Sequence, residues 1–318
     1  MNAVKKLPKQ APLHKRLAEN IRNHPLLYVL ALPVVAYYLI FNYYPMYGVL
    51  MAFQDFKPAL GIWGSRWVGL KHFKKFFSSV YFGRTVGNTL ALSAYSLACG
   101  WPLPIIVALM LNCYRSQKVK SITQTIMTLP HFISVVVLVG MLFQMFSARN
   151  GIYGAAIFRL TGTRPPDPFA TPSNFRHFYL WSGVWQDFGW GSIIYLAALA
   201  GVDPSLHEAA TVDGASRFKR VLHVDLPTIL PTIVIMLILR FGSIMSIGFE
   251  KVFLLQNDLN LSYSEVISTY VYKVGLSGGG KTDFSYATAI GFFNSVVNLV
   301  LIVVVNFIAG KVGDTSLW

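Results

Sequence analysis

The sequence predicts an all-α integral membrane protein with six transmembrane helices, and three observations carry that prediction. Of 318 residues, 54% are hydrophobic and only 13% are charged, with a mean hydropathy of +0.51, whereas about a quarter of the residues in soluble domains are charged. The apolar residues gather into six stretches, near 26–53, 86–111, 122–147, 178–201, 226–248 and 286–310, each long enough for the ~20 residues a helix needs to cross a bilayer. The formal net charge of +14 falls almost wholly between those stretches, as expected of residues that set topology and meet anionic lipid head groups. A nucleic-acid binder would instead cluster its basic residues on a soluble domain. The lipid bilayer is therefore the expected partner and nucleic acid is not.

Taken in order, residues 1–25 form a basic tail. Lys5, Lys6, Lys9, Lys15, Arg16 and Arg22 oppose a single Glu19, and Leu13, Leu17 and Ile21 recur at helical spacing, which suits a short helix lying on a membrane surface. The apolar run that begins near Leu26 is too long for a signal-peptide core and lacks a small-residue cleavage site. It is expected to stay as the first span, with an external loop running on to residue 85. Gly100, Pro102 and Pro104 interrupt the second span, Pro130 lies early in the third, and Pro227 and Pro231 open the fifth. A proline frees a backbone carbonyl, which a buried membrane helix tolerates where neighbours or a cavity satisfy it again. Lys and Arg divide evenly between the two sides, so density decides the orientation. The loop holding Arg115, Lys118 and Lys120 and the loop holding Arg217, Lys219 and Arg220 are short and basic, which places them and both termini in the cytoplasm. Cys99 and Cys113, about 21 Å apart on one helix, are too distant to form a disulfide.

The cytoplasmic loop over 203–225 has a pattern of its own. Asp203-Pro204-Ser205 is a helix start signal, Glu208, Ala209 and Ala210 are strong helix formers, and Gly214, beside Asp213, can take the positive φ that ends a helix. The spacing predicts a short helix, a turn and a second helix that closes with Leu226-Pro227. Two adjacent alanines let a partner's walls come close, while Glu208 offers a charge-assisted bond to an Arg or Lys of another protein.

Glu208-Ala209-Ala210, then Gly214, then Leu226-Pro227, resembles the signature loop of ABC importer permeases. The surroundings resemble the oligosaccharide and polysaccharide branch of that family: Trp185-Gln186, Gly189-Trp190 and Ile194-Tyr195-Leu196-Ala197-Ala198-Leu199 before the loop, and Gly248-Phe249-Glu250-Lys251, Ile267-Ser268-Thr269-Tyr270-Val271-Tyr272 and Ser285-Tyr286-Ala287-Thr288-Ala289 after it. The likeness runs over most of the chain. It implies a MetI-like permease core with five spans over 86–310, a coupling loop over 203–225, and a cytoplasmic tail over 311–318. It makes Glu208, Ala209, Ala210, Asp213 and Gly214 the ATPase-coupling residues. The implied partners are a second, homologous permease subunit in a heterodimer, two cytosolic ABC ATPases, an external solute-binding protein and a saccharide. The implied setting is a bacterial cytoplasmic membrane. No cofactor is expected on this chain, because ATP and Mg belong to the ATPase subunits, and the chain is not expected to be an enzyme.

One motif argues the other way and fails on context. Gly275-Leu276-Ser277-Gly278-Gly279-Gly280-Lys281-Thr282 fits the phosphate-loop spacing, but no parallel strand precedes it and the topology puts it outside the cell. A glycine-rich external loop is the expectation. Nor does His207-Glu208 have the second His of a zinc helix, so no metal site is expected. The fourth span carries Trp185, Gln186, Asp187, Trp190 and Tyr195, a polar and aromatic load that suits a saccharide path, since rings stack on sugars and amide or carboxylate groups bond hydroxyls. Arg240 lies in the fifth span, where an ionisable group is costly and usually paired or functional. It either pairs with Asp187 or Glu250 and leaves a neutral path, or stays free as the counter-ion of an acidic saccharide such as a uronate polymer. An ion-coupled secondary transporter would share the kinks and the intramembrane charges. The Glu208 loop argues against it.

Overall fold

The structure is a computed structural model that describes residues 20, 22–114, 116–277, 282–312 and 316–317. The expected surface helix over 1–25, Arg115 and the stretch from Gly278 to Lys281 lie wholly or largely outside those residues. Among the described residues four helices are long and apolar enough to cross a membrane: α1 (Pro25–Phe53), α3 (Val80–Asn112), α9 (Arg217–Phe241) and α12 (Phe284–Lys311). Between them lie α2 (Lys71–Phe77), α4 (Gln117–Phe132), α5 (Val135–Phe146), α6 (Ile152–Thr161), α7 (Asn174–Ala200), α8 (Pro204–Val212), α10 (Phe249–Leu255) and α11 (Ile267–Gly275). After α1, β1 (Gln54–Asp55) pairs antiparallel with β2 (Arg66–Trp67).

Two of the expected spans depart from a plain apolar helix. The stretch expected at 122–147 is α4 and α5, bent by 93°. Pro130 has no amide to donate and tightens the end of α4 into a 3-10 turn, Ile133 is extended, and the Ser134 hydroxyl caps α5 by accepting from the Val137 amide at 3.4 Å. The stretch expected at 178–201 is α7, whose 27 residues span about 40 Å. Its polar load keeps it below the hydropathy of the other four. The fifth span begins earlier than expected, at Arg217, and its helix ends at Phe241 rather than near 248. The flagged prolines in α3 and α9 each follow a π-turn, Ser96–Gly100 before Pro102 and Val221–Asp225 before Pro227.

Helix α7 is the hub. It packs along Pro102–Asn112 of α3 and against α4, α9 and α10. Ile105, Ala108 and Leu111 of α3 meet Tyr195, Leu196 and Leu199 of α7 and Ile229 and Ile233 of α9 in one buried cluster. Phe76 of α2, Ile267 and Tyr270 of α11 and Tyr286 and Ile290 of α12 form another. Lipid is as apolar as leucine, so association between spans depends on close packing rather than on expulsion of water. Gly189 supplies one such approach: a Cβ there would lie 2.0 Å from the Met127 carbonyl oxygen of α4. Helix α1 packs on this body through its last turns, Tyr47–Phe53, which meet α12 and α2.

Candidate functional site

Two features stand out, one at the foot of α7 and one along its middle. At the foot, the chain turns from α7 into the expected helix, turn and helix. Pro204 opens α8, and the Asp203 carboxylate caps it by accepting from the Ser205 amide at 2.9 Å. Hydrogen bonds from the main chain and side chain of Ser205 hold that carboxyl below its ordinary pKa. Gly214 takes a φ of +74°. The amide of Gly214 then bonds the Thr211 carbonyl and that of Ala215 bonds the Ala210 carbonyl, a Schellman ending for which glycine is the low-strain residue. Ser216 caps Arg217–Arg220, which runs through the π-turn into α9.

Side chains fix this loop to the body. Asp225, buried in the π-turn, lies 3.1 Å from His207 Nε2 of α8 and accepts from Asn112 Nδ2 of α3 at 3.4 Å. Arg220 donates to the Thr211 hydroxyl at 2.8 Å. Glu208, Ala209, Asp213 and Gly214 are exposed, and Ala210 is half-buried. The loop also carries three exposed apolar side chains that sequence reasoning missed, Leu206, Val212 and Phe218, with Val212 88% exposed. A hydropathy pattern cannot separate such residues from core residues of a short helix.

Along the middle of α7 a cavity of about 700 Å³ opens between α3, α7, α9 and α10. Gln186, Asp187 and Tyr195 line it together with Arg240, Glu250 and Lys251. Gln186 is buried and donates from Nε2 to the Ile133 carbonyl at 2.6 Å, so its amide satisfies the backbone freed at the break between α4 and α5. Trp185 and Trp190 are not brought to this cavity. A helix turns by about 100° per residue, so Trp185 cannot share a face with Asp187. With Trp181 it lines a separate apolar groove of about 530 Å³ against Met141 and Met145 of α5. Trp190 lies flat on His131, with ring centroids 4.4 Å apart and planes 7° from parallel.

Of the two expectations for Arg240, the pairing with Asp187 or Glu250 is not formed, and a histidine takes the place of Arg240 beside Asp187. His131 Nδ1, at the break after α4, lies 2.9 Å from Asp187 Oδ1. Among the described residues neither Asp187 nor Glu250 comes within ion-pair distance of Arg240. The partner came from a segment distant in sequence, and only the fold of α4 onto α7 brings it there.

Residues 100–314 match the family described as binding-protein-dependent transport system inner membrane component. The chain is 43% identical to Protein LplB of Bacillus subtilis (strain 168), over 92% of this chain and 91% of that protein. It is 41% identical to the polygalacturonan/rhamnogalacturonan transport system permease protein YteP of the same organism, over 96% and 94%. Among solved structures it is similar to a chain of a bacterial ABC transporter involved in the import of the acidic polysaccharide alginate, with a TM-score of 0.84 and 38% identity over 93% of this chain and 99% of that one. A bacterial alginate ABC transporter in complex with an alginate pentasaccharide-bound periplasmic protein aligns with a TM-score of 0.85 and 37% identity, over 95% and 100%. The chain therefore belongs to the family of inner membrane components of binding-protein-dependent transport systems, with the fold of an ABC importer permease.

Proposed function

We propose that this chain is a permease subunit of an ATP-driven importer of oligosaccharides or polysaccharides, and that it contributes both the path and the lever. The observation that carries the reading is continuity: α7 walls the cavity at Gln186 and Asp187 and runs on through Asp203 into α8. A push on α8 thus reaches the cavity through one rod and through the His207–Asp225 link to α9. Residues 203–225 serve as the coupling loop, with Glu208, Ala209, Ala210, Asp213 and Gly214 facing a cytosolic ATPase. The exposed Val212 and Phe218 supply apolar contacts there. The 86–310 segment forms the core, and the first span lies on its outside with the amino-terminal tail in the cytoplasm. Gln186, Asp187, Tyr195 and Arg240 face the cargo, while Trp185 and Trp190 serve packing or assembly.

The partners on this reading are a second permease, two ATPases that hold ATP and Mg, and an external binding protein that delivers the sugar. The cargo class rests on similar proteins named for polygalacturonan, rhamnogalacturonan and alginate. A tagged copy of this chain, solubilised from its own membranes in mild detergent, should retain a second permease and an ABC ATPase. The binding protein should join when its sugar is added. Recovery of the chain without any ATPase would count against the reading, and would favour an ion-coupled transporter.

A further inference from the structure

Lys251 is the charge that the path has not accounted for. It lines the cavity from α10, yet it is only 8% exposed. Its Nζ lies 5.1 Å from the centroid of the Tyr179 ring. A Cβ placed on Gly183 would come within 3.0 Å of that nitrogen, so α7 seats the ammonium where it has no side chain. Among the described residues no carboxylate comes within ion-pair distance of Lys251. Asp187 and Glu250 line the same cavity, but Asp187 is engaged by His131 and attracts Lys251 only from beyond ion-pair distance, and Glu250 is exposed. A buried ammonium with no carboxylate in contact is costly, and an aromatic face returns only part of that cost. Arg240 lines the same cavity, and among the described residues it too has no carboxylate within ion-pair distance.

We propose that Lys251 is a recognition group for the carboxylate of an acidic saccharide, and that with Arg240 it makes the path select uronate-type cargo over neutral cargo. The proposal rests on the saccharide reading above. The two cations suit different tasks: the Arg240 fork can bind one carboxylate through two bonds, whereas the Lys251 ammonium is a compact point charge that follows carboxylates on a moving chain. A carboxylate from the second permease subunit could instead neutralise Lys251, and it would do so whatever the cargo.

The test uses the complete transporter with its binding protein in liposomes, and compares uptake of an oligogalacturonate with uptake of its fully methyl-esterified form. Each value is normalised to assembled complex, and the readout is the acid-to-ester ratio. Lys251→Met should lower that ratio by about tenfold or more, the effect of losing one charge-assisted hydrogen bond, and Lys251→Arg should retain most of it. If Lys251→Met does not assemble, Gly183→Ala displaces the ammonium without removing it and should also lower the ratio. An unchanged ratio, or equal loss of both cargoes, overturns the proposal and leaves the saccharide reading in place. A wild-type complex that imports only neutral oligosaccharides does the same. A wild-type complex that imports no saccharide, acidic or neutral, removes the saccharide reading and this proposal with it.

Discussion

Glu208→Lys is expected to abolish the stimulation of ATP hydrolysis by loaded binding protein, while the chain still inserts and folds. Glu208 is exposed on α8 and takes no part in the bonds that fix the loop, which run through Asp203, His207, Thr211, Arg220 and Asp225. A surface substitution of this kind changes stability by only about 0.5 kcal/mol either way. At a docked surface the arithmetic differs. Losing a charge-assisted bond costs about 1.5–3 kcal/mol, and a like-charge contact against the partner's Arg or Lys adds several more. Stimulated turnover should fall by more than about tenfold, measured as phosphate release by the reconstituted complex with and without loaded binding protein. Undiminished stimulation by the Glu208→Lys complex would show that α8 is not the coupling element.

Gly189→Val should be the most damaging apolar substitution in α7. The Cβ alone would lie 2.0 Å from the Met127 carbonyl oxygen and 2.3 Å from its carbon. Both are backbone atoms of α4, so relief requires the helices to part rather than one side chain to rotate. Overpacking of this kind costs about 1–3 kcal/mol or more. Here it also pulls on the break after α4, where Gln186 bonds the Ile133 carbonyl and His131 meets Asp187. The yield of assembled complex after gel filtration should drop severalfold. Gly87→Ala is the control, since nothing lies within 4 Å of its Cβ. Equal yields from Gly189→Val and wild type would contradict the close crossing of α4 and α7.

The legible parts of this molecule are those that one short window decides. Asp203-Pro204, the Glu208-Ala209-Ala210 run and Gly214 each state a local preference, and the structure follows all of them. Pro130 likewise foretells the break in the third span. The apolar periods locate α1, α3, α9 and α12, although helix ends such as Phe241 are set by what the next segment packs against. Distant contacts are where the sequence stops informing. Asp187 and Arg240 look like a pair because both are intramembrane ions, but the partner of Asp187 is a histidine on a helix that a 93° bend brings beside it. The tryptophans mislead differently: Trp185 and Trp190 read as one aromatic lining, while the turn of the helix assigns them to different faces. Lys251 belongs by sequence to an external loop, and only the return of α10 against α7 buries it.

On the proposed function, this chain is the path and lever of an importer that draws its energy from ATP hydrolysed on other subunits. That role is tested most directly by uptake of a labelled oligogalacturonate into liposomes holding the complete complex and its binding protein. Uptake should require ATP and the binding protein together, stop when ATP is replaced by a non-hydrolysable analogue, and continue when ionophores collapse every ion gradient. Uptake that proceeds without ATP and ceases on addition of the ionophore would contradict it.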